Sequence, residues 1–80
     1  MKIYSIRDTA AECFERPFFA RTNGEALRSF SDAVNEPKSP FNTHPDQFHL
    51  FELGEFNEQT GQLNPITPVS LGNGLDFKNQ

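Results

Sequence analysis

Cysteine and long apolar segments are both scarce in this sequence, and each shortage excludes a class of protein. Cys13 is the only cysteine among 80 residues, so no disulfide can form within one chain. A lone thiol is typical of a reducing compartment. No segment approaches the roughly 20 apolar residues that a membrane-spanning helix needs, and residues 1–8 lack the apolar run of a signal peptide. We therefore expect a cytosolic protein without membrane contact.

Positive charge is also scarce, and it is unevenly distributed. Seven Lys and Arg residues stand against eleven Asp and Glu, which gives a net charge of −4. All four arginines lie in residues 1–28, where five cations meet four anions, whereas residues 29–80 hold two cations and seven anions. Phosphate affinity requires clustered cations. The composition therefore argues against strong non-specific nucleic-acid binding, although it permits a local basic face near the N-terminus.

The length predicts a single domain, residues 1–80, with little core to stabilise it. A chain of this size buries only about 60–65% of its unfolded surface, and small domains commonly gain stability from disulfides, metals or a second subunit. Nine phenylalanines supply bulky apolar surface despite a hydrophobic share of 35%. We expect a thin, aromatic-rich core and a homo-oligomer, with a dimer favoured.

The clearest predicted element is a helix at about 23–36. Thr22 is a good N-cap and Glu25 follows at capping-box spacing. Apolar residues recur on one helical face, and Pro37 ends the helix because the residue before a proline is pushed out of the helical region. The face comprises Ala26, Leu27, Phe30, Ala33 and Val34.

The remaining segments predict strands. Residues 2–7 and 13–21 are rich in β-branched and aromatic side chains, with Pro17 indicating an edge or a bulge. Residues 37–46 form an ordered, proline-rich loop, and residues 47–57 and 62–67 form a hairpin. The fold class is α+β, a small and mainly antiparallel sheet with one covering helix, in the order β-β-α-β-β. Residues 67–80 form a tail that is flexible, packs on the core or meets a partner.

The residue types that carry catalysis are present but do not form a recognisable constellation. Cys13 has no local signature of a nucleophile, and free cysteines are commonly buried as small apolar groups. His44 and His49 are five residues apart with Pro45 between them, which is not the spacing of a helical metal pair. We expect no enzyme activity, no cofactor and no metal site.

Arginines and aromatic residues alternate near the N-terminus, which is the one arrangement with a functional interpretation. Single-stranded nucleic acid is commonly held by stacking on aromatic rings along a cationic track. Most of these phenylalanines are nevertheless expected to serve the core, because Phe is among the most buried residue types. The interleaved residues are Tyr4, Arg7, Phe14, Arg16, Phe18, Phe19 and Arg21.

Several segments, taken in order, match a known pattern: residues 1–8, 17–20, 26–35 and 39–42, His44-Pro45, and the hairpin residues 53–56 and 60–61. In this order they resemble the small nonstructural DNA-binding protein of gokushovirus-type microviruses, which are Microviridae phages. The resemblance covers about residues 1–65. It implies a phage protein in the host bacterial cytoplasm that binds single-stranded DNA or the replication complex during the switch to single-strand synthesis and packaging.

Two functions from different classes follow. In the first, the chain binds single-stranded DNA, with candidate phosphate contacts at Lys2, Arg7, Arg16 and Arg21 and candidate stacking groups at Tyr4 and Phe18. In the alternative, the chain is an acidic protein-interaction module without direct DNA binding. That module would dock on a replication initiator or a procapsid protein through Glu52, Glu55 and Glu58.

Overall fold

The computed structural model describes residues 1–78 and shows an antiparallel sheet of five strands with one long helix. The predicted α+β class is confirmed. The strands are β1 (Lys2–Asp8), β2 (Cys13–Phe14), β3 (Phe18–Ala20), β4 (Phe48–Phe56) and β5 (Leu63–Asn73); the helices are α1 (Asn23–Asn35) and α2 (Pro40–Thr43), and 3₁₀ turns span Pro45–Gln47 and Gly74–Asp76.

β1 and β4 form the centre of the sheet. β1 pairs with β4 along its whole length, and its other edge pairs with β2 near Asp8 and with β3 near Lys2. β4 pairs on its far side with β5, so the sheet order is β2 and β3, then β1, β4 and β5. The N-terminal strand therefore lies in the interior of the sheet, although its β4 partner is more than half the chain away.

The helix α1 forms as the sequence predicts, within one residue of the predicted end. The Thr22 hydroxyl accepts a hydrogen bond from the Glu25 amide at 3.2 Å, which satisfies one free N–H of the first turn. Ala26, Phe30 and Val34 are the buried residues of α1, spaced one helical turn apart. This apolar stripe holds α1 against one face of the sheet.

The core lies between α1 and the sheet and is largely aromatic. Phe30 meets the rings of Phe41 and Phe77 edge-on, at 6.5 and 5.8 Å between centroids, and Phe41 in turn meets Phe48 at 4.6 Å. Edge-to-face contacts of this kind stabilise by about 0.5–1.5 kcal/mol each beyond the area they bury. The buried set comprises Tyr4, Ile6, Ala20, Ala26, Phe30, Val34, Phe48 and Leu50.

Two predicted segments differ in detail from the structure. The predicted strand 13–21 is divided into β2 and β3 by residues 15–17, and Pro17, which has no amide donor, lies in the gap. The predicted loop 37–46 contains the short helix α2, which begins at the favourable N1 residue Pro40. Both differences reflect local proline chemistry.

The return strand is the largest correction, because the predicted strand 62–67 continues to Asn73. The register with β4 shifts twice, so that Gly54 lies opposite Pro65 whereas Glu52 lies opposite Val69. Leu71 and Phe77 are half-buried and pack against the core, whereas Leu75 is exposed. Residues 67–78 are therefore part of the fold, and residues 79–80 of the predicted tail lie outside the described residues.

Candidate nucleic-acid interface

The sheet has two different faces, and β1 shows the division. Tyr4 and Ile6 face α1 in the core, whereas the alternate residues Ile3, Ser5 and Arg7 point to the opposite side. Residues paired across neighbouring strands share a face. The side opposite α1, here called the open face, is not covered by a helix within residues 1–78.

Four phenylalanines lie on the open face and form two ring pairs. Phe14 and Phe51 meet edge-on with centroids 5.4 Å apart, and Phe19 and Phe56 stack at 5.7 Å. The register agrees, because Ile3 pairs with Phe19 and Ser5 pairs with Phe51. Phe14 is 38% exposed and Phe19 is 51% exposed, so their rings are accessible from solvent.

Arg7 brings positive charge to this aromatic surface. It pairs with Phe14 in the ladder, and its guanidinium carbon lies 5.5 Å from the centroid of that ring. Such cation–π contacts contribute about 0.5–1 kcal/mol when exposed. Among residues 1–78, no arginine forms an ion pair with a carboxylate; the ion pairs there involve Met1 and Lys2. Within residues 1–78, no carboxylate therefore competes with an external anion for these guanidinium groups through an ion pair.

Arg16 and Arg21 flank the short strand β3. The connection that carries Arg16 is fixed to β1, because the Ser5 hydroxyl donates to the Glu15 carbonyl at 2.6 Å and the Glu15 amide donates to the Ile6 carbonyl at 2.8 Å. Arg21 directly follows β3, and both arginines are exposed. The two cations thus border the strand that presents Phe19.

The structure separates the other predicted contact residues from this surface. Tyr4 is fully buried, donates its hydroxyl to Asn23 Oδ1 at 2.6 Å and stacks on half-buried Phe18 at 5.7 Å. Lys2 Nζ lies 3.6 Å from Glu52 Oε2 in a partly exposed ion pair. Tyr4 and Phe18 therefore support the core side of the sheet, and neither is offered to a base.

Burial also affects the chemistry of Tyr4. Removal of the phenol from water raises its pKa above the ordinary value near 10, and the negative charges of Glu52 and Glu25 raise it further. The phenol consequently remains neutral over the physiological range and acts as a hydrogen-bond donor to Asn23.

A comparison with known protein families identifies the chain. The family model described as Phage ORF5 protein matches residues 1–77, nearly the whole sequence. The chain belongs to the Phage ORF5 protein family. No curated protein and no solved structure gives a significant match. The phage part of the predicted resemblance is confirmed, while the assignment to Microviridae and the DNA-binding role remain predictions.

In this phage protein the acidic residues of the alternative hypothesis lie on β4 and in the turn that follows it. Glu52 is paired with Lys2, and Glu58 Oε1 lies 3.4 Å from the N-terminal amine, whereas Glu55 is exposed. Met1, Glu55 and Glu58 contribute to an open, polar groove of about 660 Å³ at the hairpin turn. Two of the three carboxylates are thus partly neutralised within the chain.

The residues named for chemistry in the sequence do not come together. Cys13 is an exposed free thiol in β2. His49 lies within 3.2 Å of the Asn73 side-chain nitrogen on the neighbouring strand. Within residues 1–78, no group of three His, Cys, Asp or Glu side chains is arranged to hold a metal ion. The helices in that part of the chain are also too short and too polar to cross a membrane.

Sequence reasoning missed half of the open-face aromatic cluster. Phe14 and Phe19 belong to the predicted arginine-aromatic alternation, but Phe51 and Phe56 do not, since they lie more than 30 residues further along the chain. A signal was nevertheless present: segment 13–21 and the strand that became β4 both place aromatic residues on their two faces. A sheet covered by one helix has only one face to bury.

Proposed function

We propose that this phage protein binds single-stranded DNA across the open face of its sheet. The observation that carries the proposal is the open-face cluster of four rings, two of them exposed, with Arg7 against Phe14 and with Arg16 and Arg21 on either side of β3. Bases stack on aromatic rings with about 1–3 kcal/mol per base, and cations beside them neutralise the phosphates. The role is that of a nonstructural accessory protein in the cytoplasm of the infected bacterium, during the switch to single-strand synthesis and packaging.

The chemistry of the open face favours a single strand over a duplex. Stacking on Phe14 or Phe19 requires a base whose face is free, and duplex bases are already stacked on one another. Duplex binding would instead rely on phosphate contacts, for which a chain of net charge −4 is poorly suited. The three arginines near the cluster provide a local basic surface despite the overall acidity.

Removal of one open-face ring tests the stacking. Phe19→Ala should weaken binding to a labelled single-stranded oligonucleotide by about 5- to 150-fold, because one base loses its stacking partner. Fluorescence anisotropy measures the affinity, and circular dichroism verifies folding. Leu75→Ala is the control, since it removes another exposed apolar side chain that belongs to neither open-face ring pair. Equal affinities for the two folded variants would contradict the proposed surface.

Reversal of charge tests the phosphate contacts. The double variant Arg16→Glu with Arg21→Glu should abolish single-strand binding, whereas Arg28→Glu with Lys38→Glu, which changes the net charge equally, should retain it. Wild-type affinity should fall steeply with salt, by a slope of about −0.7 per neutralised phosphate for a single strand. Loss of binding in both double variants would mean that net charge, not these arginines, governs affinity.

A second candidate function rests on the polar groove at the hairpin turn. Glu55 and Glu58 border that groove, so a basic segment of a replication initiator or procapsid protein would find negative charge there. Two results together would favour this function over DNA binding. The folded protein would not bind an oligonucleotide at low salt, and a pull-down from infected cells would retain a partner after nuclease treatment but lose it in Glu55→Lys.

A further inference from the structure

The outer edge of the sheet is formed by β5, which leaves its apolar side chains in solvent. β5 pairs with β4 on one side only, and residues 63–70 are all exposed. Leu63, Ile66 and Val69 expose 60%, 44% and 47% of their surfaces. Natural proteins protect such an edge with charged side chains, prolines or bulges. β5 contains two prolines and two shifts of register but no charged side chain, and its exposed apolar residues offer a contact surface.

The same edge carries no charge at all. Between Glu58 and Asp76 the sequence contains no Asp, Glu, Lys or Arg, although the whole chain has eighteen such residues and a net charge of −4. A polyanion would require cations here, and a strongly basic partner would require carboxylates. The edge offers neither, so its chemistry fits a partner surface that is equally neutral and apolar.

We propose that the β5 edge is a self-association surface on which a second copy of this chain docks to form a symmetric dimer. Around a two-fold axis each residue meets the same patch of its partner, so any charge near the axis would face its own copy and repel it. Seventeen successive uncharged residues satisfy this requirement in an acidic chain. The proposal does not depend on DNA binding, because its test needs no DNA, although Leu63 at one end of the edge pairs with Phe56 of the open face.

The edge is long enough for such a contact. Eleven residues of extended chain span at most about 36 Å at roughly 3.3 Å per residue, and the longest dimension of the molecule is 39 Å. Pro65 and Pro68 lack amide donors, which limits continuous ladder pairing between copies. Side-chain contact near Val69 therefore carries most of the association, and the prolines disfavour open-ended strand addition. Leu63 lies on the opposite face of the sheet, because it pairs with Phe56 whereas Val69 pairs with Glu52.

Charged substitutions at Val69 test the proposal without DNA. Sedimentation velocity over a concentration series should show a concentration-dependent dimer for the wild type and a monomer for Val69→Glu and for Val69→Lys, because each places like charges near the two-fold axis. Ser29→Glu, which adds a charge on the exposed side of α1, should dimerise as the wild type does. Circular dichroism checks that each variant is folded.

A mixing experiment makes the test specific. An equimolar mixture of folded Val69→Glu and Val69→Lys should recover dimer, since opposite charges then face one another. The proposal would be overturned by a wild type that stays monomeric over the whole concentration series. It would also be overturned by folded Val69 variants that dimerise to the same extent as Ser29→Glu. Monomers in the mixture would also count against direct apposition of the two β5 edges.

Discussion

Replacement of Gly54 by alanine tests how closely β4 and β5 approach at the irregularity in their pairing. Gly54 has φ of +154°, a conformation that residues with a side chain rarely adopt. A Cβ atom at this position would lie 2.5 Å from the Asn64 carbonyl oxygen and 2.9 Å from Pro65 Cα. Both are backbone atoms, so the clash can be relieved only by moving β5.

The expected cost has two parts. Unfavourable backbone geometry costs about 1–3 kcal/mol, and forcing an additional carbon into a packed site costs about 1–3 kcal/mol. Gly54→Ala should therefore lower the free energy of unfolding by about 2–6 kcal/mol. An 80-residue chain has only about 4–12 kcal/mol in total at 0.05–0.15 kcal/mol per residue. The variant should be severely destabilised.

Gly61 provides the matched control. It also has a positive φ, +78°, but a Cβ there would meet no atom within 4 Å. Gly61→Ala should lose only the backbone part, about 1–2 kcal/mol. Urea unfolding followed by circular dichroism measures both variants. Equal destabilisation of the two would refute the steric argument, and a Gly54→Ala variant as stable as the wild type would show that β5 moves freely at this point.

Two other predictions concern the core. Tyr4 is the only tyrosine, so phenolate absorbance reports its ionisation alone. Because the pKa of Tyr4 is raised in the folded state, the titration midpoint of the native protein should lie above that of the unfolded chain. The free energy of unfolding should therefore fall as pH rises above about 10. Tyr4→Phe should remove this pH dependence relative to the wild type, and a native midpoint at the unfolded value would contradict the burial argument. Phe30→Ala should lower the free energy of unfolding by about 3–5 kcal/mol, and Phe30→Leu should lower it less, as measured by urea unfolding. The exposed substitution Ser29→Ala should have almost no effect. An equally small effect of Phe30→Ala would contradict the central place of Phe30 in the core.

The helix and the fold class were predictable because their signals are local. Thr22, Glu25 and Pro37 mark the ends of α1, and the spacing of Phe30 from Ala26 and Val34 specifies its buried face. Capping and periodicity act within a few residues and survive in almost any tertiary context. The class followed from this single helix among strand-like segments.

The identity of the exposed aromatic residues was not predictable from the same signals. Phe18 and Phe19 are adjacent in sequence, yet one packs on Tyr4 on the helix side and the other on Phe56 on the open face. Strand alternation requires that they point to opposite sides, but it does not say which side α1 covers. That choice depends on pairing between β1, β3 and β4.

The length of β5 was underestimated for a related reason. Pro65 and Pro68 are signals that usually end a strand, and the sequence prediction stopped at residue 67. The structure accommodates them at the outer edge of the sheet through two shifts of register opposite Leu50–Gly54. An irregularity of this kind depends on its partner strand, which local propensity does not describe.

The interior position of β1 has a consequence for folding during synthesis on the ribosome. β2, β3 and α1 are synthesised soon after β1, whereas its other neighbour, β4, begins only at Phe48. At about 5–20 residues per second, the 39 residues between Asp8 and Phe48 take about 2–8 s to synthesise. During that interval one edge of β1 is unpaired beside the apolar side chains of Tyr4 and Ile6. The sheet therefore cannot be completed before β4 has been synthesised, and its central pairing joins residues that are distant in the sequence.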